Sequence, residues 1–162
     1  MISRGDPRPE LPVDSDAPTG AASPLHLRPS ALVWVGLGGV VGTAARYGLA
    51  LAVPVPSGGW PWPTFAVNVA GAFLLGALLE ALARAGRDTG WRRRIRLLAG
   101  TGFCGSLTTY STFAVESDLL VRDHATGAAI AYLAASLIVG IAATASGIAS
   151  AATWRTRAWR SE

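Results

Sequence analysis

Gly100-Thr-Gly-Phe-Cys-Gly-Ser-Leu-Thr-Thr-Tyr-Ser-Thr-Phe113 places three glycines among and before a cluster of Ser and Thr hydroxyls. Ser106, Thr108, Thr109, Ser111 and Thr112 put five such hydroxyls in seven residues. The stretch lies inside residues 97–115, which carry no charge. An uncharged run of about 18 or more residues is long enough to cross a bilayer as a helix. Glycines and hydroxyls at mid-span favour a broken helix, because freed backbone groups find other partners there. Carbonyls and hydroxyls at such a break suit a hard monovalent cation.

The surroundings follow the same pattern. Residues 125–154 hold no charge, and between 29 and 79 the only one is Arg46. Pro54-Val-Pro-Ser-Gly-Gly-Trp-Pro-Trp-Pro63 divides that first run, since no helix tolerates so many breakers. Four transmembrane helices are expected, at 31–53, 63–84, 95–121 and 127–153. Trp60, Trp62, Trp91 and Trp154 fall at their ends, where an aromatic belt belongs. A soluble bundle would need a polar stripe at helical period, and these runs have none. Residues 1–30 contain six of the ten prolines and mixed charge, and are expected to form a disordered tail. The expected organisation is a tail over 1–30, a four-helix domain over 31–154 and a basic C-terminal tail over 155–162.

The 162 residues are 51% hydrophobic and 15% charged, with a net charge of +4. Ordinary soluble domains carry roughly 25% charged residues. All 14 basic residues are Arg. Ten of them (Arg28, Arg84, Arg87, Arg92, Arg93, Arg94, Arg96, Arg155, Arg157 and Arg160) flank helix ends on one side. Only Arg122 flanks the other. Positive loops stay cytoplasmic, so both termini are expected inside. The basic excess is therefore an orientation signal and not a nucleic-acid footprint. The single cysteine, Cys104, excludes a disulfide framework within one chain. The two histidines fall in the tail and a loop, and no catalytic or phosphate-binding motif is present, so no enzyme is expected.

Small residues recur at four-residue spacing: Gly38 and Gly42, Ala72 and Gly76, Gly140 and Thr144, Ala143 and Gly147. That spacing permits close backbone approach in lipid. Polar residues within spans are the functional candidates. Arg46 either snorkels to the surface or faces a water-filled vestibule that attracts anions. Glu116 is either its partner or an independent group at a pore mouth. Asn68 is either glue between helices or an N–H donor to a permeating anion. Tyr110 and Phe113 share a face, and their ring edges are partially positive. Tyr132, Ser136 and Gly140 share a face of the last helix.

Gly38-Gly-Val-Val-Gly-Thr-Ala-Ala-Arg-Tyr47, Thr64-Phe-Ala-Val-Asn-Val-Ala-Gly-Ala-Phe73 and Gly102-Phe-Cys-Gly-Ser-Leu-Thr-Thr-Tyr-Ser-Thr-Phe113 resemble the CrcB/Fluc family of fluoride channels. With the fourth helix, the resemblance covers residues 31–153. It implies an all-α membrane protein with a broken third helix, working as an antiparallel dimer with two pores. It implies passive export of toxic fluoride from the cytoplasm. It also implies a structural sodium ion at the dimer centre, held by backbone oxygens of Gly105 and Thr108. Asn68, Phe113, Tyr132 and Ser136 match family pore positions, and Arg46 matches a vestibule arginine. Tyr110 stands where the family usually has Phe, Ser106 where it has Gly, and Gly140 lacks a hydroxyl. An inverted homodimer needs a weak Arg bias. Ten against one predicts instead a heterodimer with a paralogous subunit of opposite orientation. A four-helix cation or drug exporter and a non-transporting assembly protein are the other classes weighed. An exporter of that kind needs a carboxylate in helix 1, where this chain has Arg46.

Overall fold

The computed structural model describes residues 28–158, with side chains to residue 153. The tail expected at 1–30 lies outside the described residues up to 27, as do residues 159–162 of the basic end. Among the described residues all regular structure is helical.

Three helices match the long apolar runs. Helix α1 spans Pro29–Ala52, α2 spans Trp62–Ala85, and α6 spans Thr126–Ala158. Each is long and apolar enough to cross a membrane, with mean hydropathies of 1.3, 1.9 and 2.0 over their best windows. Prolines in the first turns of α1 and α2 set the starts, since the missing N–H is not needed there. The Pro-rich loop between α1 and α2 ends the first helix as the breakers require. Gly86, at φ 114, stops α2 in a conformation that strongly favours glycine.

The segment expected at 95–121 is built from shorter pieces. Helix α3 spans Gly90–Ile95 and runs into a π-helical stretch, Arg96–Cys104. Helix α4 is the single turn Gly105–Leu107, and α5 is Tyr110–Arg122. Between α4 and α5, Thr108 (φ −75, ψ 154) and Thr109 (φ −148, ψ 126) are extended. No single piece of this segment has the length of a span, so three helices and not four satisfy length and composition on their own.

Two seams hold the helices together. Along the first, α1 meets the π-helical stretch: a Cβ at Gly38 would lie 1.9 Å from the Leu98 carbonyl oxygen. Along the second, α2 meets α6, where a Cβ at Gly147 would lie 2.2 Å from the Phe73 carbonyl oxygen. These are the small residues whose spacing predicts close approach. The buried apolar cluster is compact. Leu120, Ala129 and Tyr132 pack with Trp60, Phe65 and Phe113 near the α1–α2 loop. Elsewhere large aliphatic side chains point outward, including Val40, Ile138 and Ile141. Such a surface is suited to lipid and unsuited to water.

Candidate functional site

The break between α4 and α5 leaves backbone groups without helical partners. In a continuous helix the Thr109 amide would bond to the Gly105 carbonyl, and the Thr112 amide to the Thr108 carbonyl. Both amides are diverted. Thr109 N donates to Asn68 Oδ1 at 2.8 Å, and Thr112 N donates to Thr109 Oγ1 at 3.2 Å. Asn68 Nδ2 in turn donates to the Thr109 carbonyl at 3.1 Å. The Asn68 amide thus pairs with both polar groups of one extended residue, as a neighbouring strand would. A buried amide in an apolar span costs free energy unless it is paired, and here each side satisfies the other.

Arg46 serves the same break from α1. Its Nε donates to the Ser106 carbonyl oxygen at 3.2 Å. A guanidinium at the carbonyl end of α4 complements the partial negative charge of those oxygens. Both Asn68 and Arg46 therefore reach the chain turn that the hydroxyl-rich stretch builds.

Glu116 is held by different partners. Thr64 Oγ1 donates to its Oε1 at 2.7 Å, and the Tyr132 hydroxyl donates to its Oε2 at 3.0 Å. This carboxylate ties α2, α5 and α6 together. It makes no ion pair with Arg46 among the described residues. The two nevertheless line one cavity of about 340 Å³, together with Thr43, Thr64, Thr109 and Thr112. A fixed cation and a fixed anion thus face the same space.

A second cavity, of about 510 Å³, lies on the other side of the break. Asn68, Gly105 and Thr108 bound it at one end, and Arg96 also lines it. Small residues such as Gly71 and Gly100 line it together with the apolar Leu75, Leu79 and Cys104. Asn68 faces this cavity while its partner Thr109 lines the first. The Asn68–Thr109 pair therefore stands where the two spaces approach each other.

The aromatic residues form a line. The Tyr110 and Phe113 ring centroids are 6.2 Å apart, Phe113 and Tyr132 are 5.0 Å apart, and Tyr132 and Trp60 are 5.5 Å apart. Tyr132 is fully buried, whereas Tyr110 is 81% exposed. The Ser136 hydroxyl is buried with no protein partner. Tyr110, Phe113, Tyr132 and Ser136 line neither cavity.

Four groups at the site escape sequence reasoning. Thr64 anchors Glu116, yet it sits one helical turn before Asn68, a spacing that marks a shared face. The Thr109 backbone and the Ser106 carbonyl are found only by asking where the freed groups of the break go. Trp60 has a buried indole N–H without a protein partner, and only its place in the aromatic cluster brings it to the site.

Comparison with known proteins places the chain in a family. Residues 33–148 match the model of the CrcB-like protein, Camphor Resistance (CrcB) family. A protein of Leifsonia xyli named fluoride-specific ion channel FluC 2 is 48% identical over 126 residues, covering 78% of this chain and 86% of that protein. FluC 1 of Cutibacterium acnes is 45% identical over 116 residues, covering 72% and 81%. FluC of Chlorobium luteolum is 42% identical over 126 residues, covering 78% and 95%. All three names describe ion channels, a function that is not enzymatic. The match takes in the α1 glycines, Asn68, the break and the aromatic line alike, and on that extent the chain belongs to the CrcB-like family.

Proposed function

We propose that this chain is a subunit of a fluoride-selective channel that lets fluoride leave the cytoplasm by passive permeation. Family membership and the names of its relatives support the permeant. The observation that carries the reading is the Asn68–Thr109 pair, set between two cavities that each contain an arginine. Fluoride is small and strongly hydrated, so a narrow path must replace its water with donors. Asn68 has a second amide hydrogen beyond the one given to Thr109. The Ser136 hydroxyl, which has no protein partner, adds a neutral donor. Tyr132, whose O–H is given to Glu116, offers its ring edge, and the ring edges of Tyr110 and Phe113 are likewise partially positive. Arg46 raises the local anion concentration at one entrance. Glu116 stands at that pore mouth as the acceptor that orients Thr64 and Tyr132.

The third segment is read as one membrane-crossing helix broken at Thr108 and Thr109. A structural, untransported sodium ion fits its carbonyls. Gly105 and Thr108 are the two residues whose helical amide partners are engaged elsewhere, and carbonyl oxygens suit a hard cation. Gly105 is exposed on this subunit, a position open to a second one. Sodium there would neutralise carbonyl dipoles that two antiparallel subunits bring together. The partner is a paralogous subunit of opposite orientation. The one-sided arginines support this, and so do numbered names such as FluC 1 and FluC 2 among the relatives. Both termini of this chain then face the cytoplasm.

The test is fluoride efflux from liposomes holding this chain alone, then this chain with a coexpressed paralogue. Efflux that requires the pair supports the heterodimer, and efflux from the chain alone supports a homodimer. No efflux from either preparation overturns the channel reading. Tags on both termini report orientation in cells, and mixed accessibility would sink the fixed orientation.

A further inference from the structure

Between Glu80 and Arg96 the chain carries six arginines and only two carboxylates. This segment joins the end of α2 to the start of the broken segment, so it lies at a membrane surface. The two carboxylates are already engaged. Glu80 pairs with Arg84. Asp88 lies 2.7 Å from Arg96 and 3.7 Å from Arg93. The side chains of Arg87 and Arg94 are exposed and make no ion pair among the described residues.

Between these two lies Arg92, held in a fixed pose. Its Nη1 donates to the Arg87 carbonyl at 3.2 Å, and its guanidinium lies 5.6 Å from the Trp91 ring centre. Its Nε is buried yet finds no protein acceptor. Trp91 itself is 58% exposed. The loop therefore presents a net positive charge, the exposed side chains of Arg87 and Arg94 and an exposed indole, all at the level of lipid headgroups. An exposed tryptophan settles at that interface, and juxtamembrane arginine clusters attract anionic lipid.

We infer that the loop carrying the exposed Arg87 and Arg94 is a docking surface for an anionic phospholipid, with Trp91 anchored beside its glycerol region. Arg87 and Arg94 meet the headgroup phosphate from the exposed side, while Arg92 holds the Arg87 carbonyl and lies against the Trp91 ring. This inference depends on the membrane-spanning reading alone and not on the permeant.

Native mass spectrometry of the full chain in detergent tests it, using equal amounts of phosphatidylglycerol and phosphatidylcholine. Retention of phosphatidylglycerol over phosphatidylcholine by at least about tenfold is expected. The double variant Arg87→Gln, Arg94→Gln loses about thirtyfold of phosphatidylglycerol affinity, from the contribution of two arginines near a charged surface. Should that variant fail to fold, the wild type under rising ionic strength serves instead, and its preference falls as screening sets in. Equal retention of the two lipids overturns the site. A preference untouched by the substitutions or by salt does so as well. Complete displacement by millimolar inorganic phosphate would assign the pocket to free phosphate and overturn the lipid.

Discussion

Replacing Asn68 by Ala removes the group that pairs with Thr109 on both its amide and its carbonyl. The two bonds, at 2.8 and 3.1 Å, are the partners that α2 provides to the break. Alanine satisfies neither group, and the extended residue has no helical partner to return to without re-forming the helix. Each backbone group left unpaired in a part-buried site costs about 1–3 kcal/mol. Interhelical bonds in lipid lie at the low end of that scale, since the unfolded chain also finds partners. The sum expected for Asn68→Ala is therefore about 2–4 kcal/mol. A chain of this size loses roughly 2–4 °C of midpoint per kcal/mol, which gives a fall of about 4–16 °C. Thermal unfolding in detergent reads this loss, and liposome efflux reads transport in parallel. Fluoride efflux should fall while enough protein assembles to be reconstituted. An unchanged midpoint would refute the support given to Thr109. An unchanged midpoint together with unchanged efflux would remove Asn68 from the site altogether.

Other outcomes follow from the same geometry. Phe113→Ile removes the ring that stands 5.0 Å from Tyr132 and should cut fluoride efflux without abolishing assembly, so undiminished flux would exclude the ring from the path. Gly147→Ala would set a methyl 2.2 Å from the Phe73 carbonyl and force α2 and α6 apart, at about 1–3 kcal/mol or more. Its signature is a lowered midpoint, whereas Gly140→Ala meets open space and should behave as wild type. Exchanging sodium for a bulky organic cation should destabilise the dimer, read as dissociation on size exclusion, and a dimer indifferent to the exchange would contradict the ion at Gly105 and Thr108.

Much of the architecture is legible before folding because lipid imposes strict rules. Uncharged runs of sufficient length become spans, and prolines between them become the loop, so α1, α2 and α6 lie within a few residues of their expected bounds. The glycines of the two seams are legible for the same reason. Without apolar solvent exclusion between helices, close approach must come from small side chains. The hydroxyl-rich stretch signals an interrupted helix through its composition, although the π-helical run ahead of it carries no comparable signal.

What composition does not reveal is pairing. Asn68 reads as glue or as donor, and the structure shows its amide engaged with Thr109. Arg46 reads as snorkelling or as facing a vestibule, and the structure has it lining a cavity while it donates to the Ser106 carbonyl. Glu116 reads as a partner for Arg46 or as independent, and its bonds go to Thr64 and Tyr132. These residues lie between 16 and 60 positions from their partners along the chain.

The amino-acid sequence by itself determined that the chain is helical and suited to a membrane, where the three apolar helices α1, α2 and α6 begin and end to within a few residues, and which few polar residues sit among apolar ones. Those properties depend on local composition measured against the thickness of a bilayer. Only the tertiary structure decided which polar group meets which. A hydrogen bond needs heavy atoms within about 3 Å and in the right direction. That condition is set by how α1, α2, α5 and α6 cross, and no single segment contains it.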